Sequence, residues 1–236
     1  MRWALLRELA PPALRSARLL PPAIGTVLGS AVAVAPVVAG VELEVHDVVL
    51  LLRCSMVIMA LGAAFVLDDP TGRTTEAVPV SRAWVSMLRC LAAVTALGAA
   101  WTVQLAVAPL AVPAEARAAL PSASLTLEPV TVVAWALVLG SLGARFTAEG
   151  SGGVLAAPGM VLVVIAVMLL PEEAAPFAQP QSEGWERSRW IWTAALGAGV
   201  LGLGLLLREP RNRGRGWPGS QSRTVEPQPS VHADSS

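Results

Sequence analysis

Long apolar stretches alternate with short polar connectors along the whole chain. Six stretches reach or exceed the about 17–25 residues that a membrane-crossing helix needs. They are residues 20–40, 48–67, 84–112, 125–144, 153–170 and 190–207. A helix satisfies its own backbone hydrogen bonds in lipid, and the residue-by-residue alternation of a membrane β-barrel is absent. The pattern predicts an all-α integral membrane protein with a six-span transmembrane domain over residues 20–207.

The two chain ends differ from this central region. Residues 1–19 alternate arginine with Leu, Ala and Trp3 and contain the pair Pro11 and Pro12. This pattern predicts a cytoplasmic amphipathic helix at the membrane interface, with an unstructured basic leader as the alternative. Residues 208–236 are rich in Gly, Pro and Ser, which is typical of a disordered cytoplasmic tail.

Composition narrows the class of protein further. The chain is 54% hydrophobic and 14% charged, whereas soluble domains carry about 25% charged residues. Its formal net charge is zero, which argues against a nucleic-acid partner. All 17 basic residues are arginine, so a phosphate-binding P-loop, which requires lysine, cannot form. Any ATP used in that way must be bound by another chain.

Arginine placement predicts the orientation. Twelve arginines lie in the N-terminal segment, the second-to-third and fourth-to-fifth connectors and the tail, three lie in other connectors, and two lie within spans. Arginine-rich segments stay in the cytoplasm. We therefore expect a multi-pass protein of the plasma (inner) membrane with both termini in the cytoplasm.

The cytoplasmic connector of residues 68–83 is more polar than a simple turn needs to be. Its Asp-Asp-Pro opening favours a helix start, because carboxylates and proline both suit the first turn. We interpret it as a docking surface for a partner protein, with a solvated loop as the alternative. The candidate docking residues are Asp68, Asp69, Gly72, Arg73, Thr74, Glu76, Pro79, Ser81 and Arg82.

This layout resembles the permease of type-2 ATP-binding-cassette exporters. Such permeases have six spans, an amphipathic N-terminal helix, and a connector with an acidic-rich run, Gly-Thr-x-Glu and a Pro-x-Ser-Arg-like close. Here the matching order is Gly72, Thr74, Glu76, Pro79, Ser81 and Arg82. The use of arginine without any lysine, and the Asp-Asp-Pro sequence that opens the connector, resemble features of actinobacterial proteins.

The resemblance implies that the connector docks on a separate ATPase subunit, which holds ATP and Mg²⁺. A second permease subunit, identical or a sister chain, would complete the path for an amphipathic small molecule, peptide or lipid. No cofactor and no catalytic residue are expected in this chain, which would not itself be an enzyme. The alternative function is a non-transporting membrane anchor or assembly protein that recruits a cytoplasmic partner.

A membrane enzyme is disfavoured, since His-Glu-x-x-His, Gly-x-Ser-x-Gly and Cys-x-x-Cys are all absent. The outer loop with Glu42, Glu44 and His46 has two interpretations, a solvated acidic loop, which we favour, or a metal site. The outer connector of residues 171–189 is expected to form either short interfacial helices or a plain loop.

Polar residues within spans are the candidates for a substrate path. Arg53 either extends outward to acidic residues such as Glu42, Glu44 or Glu173, or faces a path and binds an anionic group. Gln104 either lines a path or, as we favour, hydrogen-bonds across a helix interface.

Two cysteines and several glycines also lie within the predicted spans. Cys54 and Cys90 lie within spans at depths that differ by roughly 10 Å, too far for a disulfide, and are expected to be buried free thiols. Glycines in the fourth and sixth spans predict close helix packing or a dimer seam; these are Gly140, Gly143, Gly197, Gly199, Gly202 and Gly204.

Overall fold

The computed structural model describes residues 20–68, 82–147, 152–171, 176–179 and 182–207. In these ranges the secondary structure is helical, without a β-strand, which confirms the all-α prediction. The helices are α1 (Leu20–Ala39), α2 (Val45–Ala63), α3 (Arg82–Val107), α4 (Ser122–Leu125), α5 (Leu127–Phe146), α6 (Gly152–Met168) and α7 (Trp185–Leu207). Two 3-10 segments, Ala108–Ala111 and Ala114–Ala119, follow α3. The expected N-terminal amphipathic helix and C-terminal tail lie outside the described residues.

Five helices in the described ranges are long and apolar enough to cross a membrane, which indicates a membrane protein. They cover Leu20–Ala39, Val45–Ala63, Trp84–Ala111, Leu127–Phe146 and Trp185–Leu207. The helix α6 is also apolar, but it has 17 residues and is the shortest of the six elements that match the predicted spans.

The second predicted span, residues 48–67, is displaced in the structure. Its helix runs over Val45–Ala63, and residues 64–67 form turns. Ala64 and Val66 nevertheless stay in the core, each 1% exposed. Their apolar character therefore reflects burial inside the bundle and not a continued helix.

The helix α5 has α2, α6 and α7 packed against it, while α1 packs along α2 and also contacts α3. The α1–α2 contact brings two backbones together at Gly25 and Gly62. A Cβ atom added to Gly62 would lie 2.8 Å from the carbonyl oxygen of Pro21. A side chain at this position would push the two helices apart, so glycine sets their separation.

Several connectors lie close together at one end of the bundle, called here the Arg53 end. The N–H of Leu43, between α1 and α2, donates to the carbonyl of Ala111, just after α3, at 2.8 Å. Arg53 in α2 meets Glu128 at the start of α5. The helices α1 and α3 therefore finish at the same end at which α2 and α5 begin.

The opposite end, called here the Asp68 end, is closed by two polar contacts. Asp68, just after α2, accepts a hydrogen bond from the N–H of Gly153 at the start of α6, at 2.8 Å. Arg145 at the end of α5 donates to the carbonyl of Leu206 near the end of α7. The ends of α2, α5 and α7 therefore lie together with the start of α6.

Successive long helices run in opposite directions as a result. Thr131 near the start of α5 donates to the carbonyl of Trp192 near the start of α7 at 3.3 Å, so α5 and α7 are parallel. The chain crosses the bundle between Gly153, beside Asp68, and Phe177, beside Arg53. The first and last described residues, 20 and 207, both belong to the Asp68 end.

The predicted small-residue contacts are made within the chain at four glycines. Added Cβ atoms at Gly199 and Gly202 would face Ala134, Trp135 and Val138 of α5. Gly140 and Gly143 closely approach Ala64 and Gly152. Gly197 and Gly204 have open space around them, because they lie on the other side of α7.

Both cysteines are free, as expected, but only Cys90 is buried. The expectation of a buried thiol is wrong for Cys54, which is exposed on the outer face of α2. Span depth alone does not distinguish an inward helix face from an outward one.

Candidate functional site

A buried ion pair joins α2 to α5 at the Arg53 end. Nε and Nη2 of Arg53 donate to Oε2 and Oε1 of Glu128 at 2.8 and 2.7 Å. Arg53 is 9% exposed and Glu128 is 3% exposed. This two-point geometry matches the guanidinium fork to the carboxylate, which is the strongest arrangement such a pair adopts. The pair fixes the position of α2 relative to α5.

The remaining Arg53 donors hold a short non-helical segment, residues 176–178, called here the strap. Nη1 donates to the carbonyl of Phe177 at 3.2 Å, and Nη2 donates to the carbonyl of Ala178 at 2.9 Å. Together with the Glu128 bonds, these contacts use four of the five guanidinium hydrogens. A buried charge is thereby almost fully hydrogen-bonded, which is the condition for burying it.

The other side of the strap is attached to α7. The carbonyl of Pro176 accepts hydrogen bonds from the Ser188 hydroxyl and from Nε1 of Trp192, the latter at 2.8 Å. The Phe177 ring lies between the two attachments: its centroid is 5.3 Å from Cζ of Arg53 and 5.2 Å from the Trp192 ring centroid. The ring covers the ion pair and adds a cation–π contact.

Local sequence explains why a glutamate is accommodated at position 128. It occupies the first turn of α5, with Pro129 following it. The positive end of a helix dipole favours a carboxylate at this position, and proline suits a first turn because its missing N–H would be unpaired anyway. The break that Glu128 and Pro129 make in the apolar pattern therefore marks a helix start.

A second polar cluster joins three helices at Gln104 of α3. Its Oε1 accepts from the Ser55 hydroxyl of α2 at 2.7 Å. Its Nε2 donates to the Ser30 hydroxyl of α1 at 3.0 Å and to the Met59 sulfur at 3.2 Å. Gln104 is 1% exposed. It makes the interface contact that the sequence favoured, and its role in a path stays a prediction.

Arg53 does not extend outward to Glu42 or Glu44, and Glu173, the third acidic residue named for it, lies outside the described residues. The carboxylate partner of Arg53 is Glu128, which the sequence analysis did not name as a candidate. The one signal in the sequence that could have found this partner was depth in the membrane. Arg53 lies in the first half of its predicted span, and Glu128 lies at the start of another span that begins at the same side of the membrane. Two opposite charges at similar depth in different spans are candidates for a pair.

The charged side chains near the start of α2 make exposed contacts with one another. Nδ1 of His46 lies 3.1 Å from Glu44, and Nε2 lies 3.2 Å from Asp47. No group of three or more His, Cys, Asp or Glu residues suited to a metal ion occurs in the described part of the chain. The solvated-loop interpretation fits this geometry.

Of the predicted docking residues, Asp68 is described in full. It is 1% exposed and bonds the backbone at the start of α6, so it joins two helices in this chain. Arg82 is the first residue of α3. The others lie outside the described residues: Asp69, Gly72, Arg73, Thr74, Glu76, Pro79 and Ser81. The docking role of this connector stays a prediction.

Comparisons with protein-family models, curated proteins and solved structures find no match to this chain.

Proposed function

We propose that this chain is the membrane-spanning permease subunit of an ATP-driven exporter. A separate ATPase would dock on the connector of residues 68–82, and a second permease subunit would complete the transport path. The observation that carries this proposal is the alternation of helix directions, which brings the first and last described residues and the ends of the docking connector to the Asp68 end of the bundle.

The alternating directions of the helices support six crossings of the membrane, one of them by the short helix α6. Seventeen residues of helix extend about 25 Å at 1.5 Å per residue, against a hydrocarbon core about 30 Å thick. Leu169 and Leu170 continue the apolar character beyond α6 and are exposed. Since α6 begins at the Asp68 end and the strap lies at the Arg53 end, a sixth crossing accounts for the return of the chain.

The arginine distribution supports a cytoplasmic Asp68 end. Described residues that flank the segments counted as cytoplasmic, such as Leu20, Asp68 and Leu207, lie at this end, and arginine-rich segments stay in the cytoplasm. The docking connector would then face the compartment that holds ATP. Nucleotide would be bound only by the partner, since this chain has no lysine for a P-loop.

Two copies, or this chain and a sister chain, would be needed to form a path. The Arg53–Glu128 pair makes its hydrogen bonds within one bundle, and so does the Gln104 cluster. A path between two subunits would instead use the exposed apolar faces of helices such as α7. Such faces suit an amphipathic small molecule, peptide or lipid, and the bilayer covers the remaining apolar surface.

The test is purification of the tagged protein from its own membranes in mild detergent, with mass spectrometry of the bound chains. We expect an ATPase with a P-loop to copurify with the parent protein. The double substitution Glu76→Ala/Arg82→Ala in the connector should abolish this binding.

A matched control is Glu115→Ala/Arg117→Ala, which removes the same two charges from exposed positions at the Arg53 end. It should leave the ATPase bound. If no nucleotide-binding chain copurifies with the parent protein, the permease proposal is wrong.

The second candidate is a non-transporting anchor. The observation that favours it is the internal pairing of Arg53, Glu128 and Gln104, whose hydrogen bonds within the chain occupy most of the groups that could bind a substrate. A copurifying cytoplasmic protein without a P-loop, lost on Glu76→Ala/Arg82→Ala, would select this function.

A further inference from the structure

The strap is attached to the bundle by side chains from two helices. Its three consecutive carbonyls, at residues 176, 177 and 178, accept hydrogen bonds from Arg53 of α2 and from Ser188 and Trp192 of α7. Such an attachment can be released by moving a few side chains, whereas a strand or helix would have to unfold. The strap is thus a separable part of the Arg53 end.

Arg53 is shared between the strap and Glu128. Its Nη2 group has two hydrogens; one bonds Oε1 of Glu128 and the other bonds the carbonyl of Ala178. The guanidinium is rigid and planar, so a position that satisfies both partners exists only over a narrow range of α2–α5 separations. A shift of Glu128 on α5 would therefore draw Arg53 away from the strap.

We propose that the strap is a latch that closes the Arg53 end, and that the Arg53–Glu128 ion pair controls its release. In the closed arrangement Phe177 covers the ion pair and excludes water from it. When α2 and α5 move apart, Arg53 leaves the two carbonyls and the strap opens. This device requires no transport activity, so it stands or falls separately from the proposed function.

The reporter is a cysteine at position 178, where the side chain is half-buried. Ala178→Cys is introduced into a chain that carries Cys54→Ala and Cys90→Ala, and the protein is held in lipid nanodiscs so that both ends are accessible. The rate of reaction with a polar maleimide then measures strap opening.

The decisive variant is Glu128→Gln, because the Glu128 carboxylate hydrogen-bonds Arg53 and not the described residues of the strap, so it acts on the strap through Arg53. Without the Glu128 carboxylate, the Arg53 guanidinium is no longer held in the position from which it reaches the carbonyls of Phe177 and Ala178. We therefore expect the labelling rate at position 178 to rise about tenfold, the order of magnitude for losing one hydrogen bond from a charged donor to the strap. Arg53→Lys, which keeps the charge but loses the fork, should give a rise of similar size.

Trp192→Phe tests the other attachment while leaving the ion pair intact. It removes the Nε1 donor to Pro176 but keeps an aromatic ring beside Phe177. We expect about a fivefold rise, as for one neutral hydrogen bond. The matched control Trp190→Phe changes a 76% exposed ring on the same helix and should leave the rate unchanged.

A second reporter, Thr147→Cys at the Asp68 end, separates latch opening from general loss of structure. Its rate should not change in Glu128→Gln. The proposal is overturned if the rate at position 178 is unchanged in Glu128→Gln and Arg53→Lys, or if both reporters accelerate equally. A rise in Trp192→Phe alone would also overturn it, because Arg53 would then have no controlling role.

Discussion

Arg53 and Glu128 contribute to stability mainly by neutralising each other. Removing two charges from water costs several kcal/mol per ion, and their attraction roughly offsets that cost. Removing one partner leaves a buried charge without compensation. We expect Arg53→Ala or Glu128→Ala to lower the free energy of unfolding by about 3–5 kcal/mol, measured by reversible unfolding in mixed detergent micelles.

The double substitution Arg53→Met/Glu128→Leu should cost much less than the sum of the two single substitutions, because an apolar pair of similar volume leaves no charge behind. Arg189→Ala is the control, since Arg189 is exposed on α7 and should change stability by under about 0.5 kcal/mol. If the double substitution costs as much as the two alanine substitutions together, the interpretation of a coupled pair is contradicted.

Gln104 gives a second prediction at the residue scale. A double-mutant cycle of Gln104→Leu and Ser55→Ala isolates the 2.7 Å hydrogen bond between them. We expect a coupling energy of about 0.6 kcal/mol and not above about 1.7, as for other hydrogen bonds between membrane helices. The same unfolding measurement gives this value. A coupling of zero would mean that the two side chains do not interact in the membrane.

These two residues show what sequence can resolve at this scale. A lone glutamine in an apolar span has few ways to satisfy its amide, so the interface contact of Gln104 was predictable. The partner of Arg53 was not found, because Glu128 is 75 positions away and chain distance says nothing about which helices become neighbours. Depth in the membrane was the one useful signal.

At the scale of elements, the α1–α2 contact depends on Gly62. Its missing side chain lets the two backbones touch, and an added Cβ would lie 2.8 Å from the carbonyl oxygen of Pro21. We expect Gly62→Ala to lower the free energy of unfolding by about 1–3 kcal/mol, the usual cost of overpacking. Gly98→Ala on α3 is the matched control, because its Cβ would meet nothing within 4 Å.

Gly98→Ala should be neutral or stabilising by up to about 1 kcal/mol, since alanine favours a helix more than glycine does. Equal effects of the two substitutions would show that α1 and α2 do not pack at Gly62.

The sequence drew attention to glycines in α5 and α7 but did not distinguish Gly199, which faces α5, from Gly197, which faces outward. Spacing identifies a stripe of small residues, while the neighbouring helix decides which members are used.

The segments that form the long helices were predictable, because the length of an apolar run is a strong signal. The residues at which these helices end were harder to predict. The second span ends earlier than its apolar run, since residues 64–67 pack in the core as turns. In the described part of the connector of residues 171–189, no short helix precedes α7. Residues 176–179 are non-helical, and α7 begins at Trp185, because side chains of other helices satisfy the strap carbonyls.

At the scale of the whole molecule, the number of crossings depends on α6. The sequence predicts six spans from apolar length, and the structure adds an independent argument, since α5 and α7 run parallel and the chain must return between them. A single cysteine in the cysteine-free chain, at Thr147 before α6 or at Gln179 after it, tests this directly. We expect Gln179→Cys to react with a membrane-impermeant maleimide on intact cells.

Thr147→Cys should react only after the cells are permeabilised, because the Asp68 end is expected in the cytoplasm. Glu115→Cys, an exposed position at the Arg53 end, is the control and should behave like Gln179→Cys. Reaction of Thr147→Cys and Gln179→Cys from one side would mean that α6 does not cross, and the six-span basis of the permease proposal would fail. Reaction from opposite sides, but with Thr147→Cys outside, would keep six spans and exclude ATPase docking on the connector, since that connector would then face away from ATP.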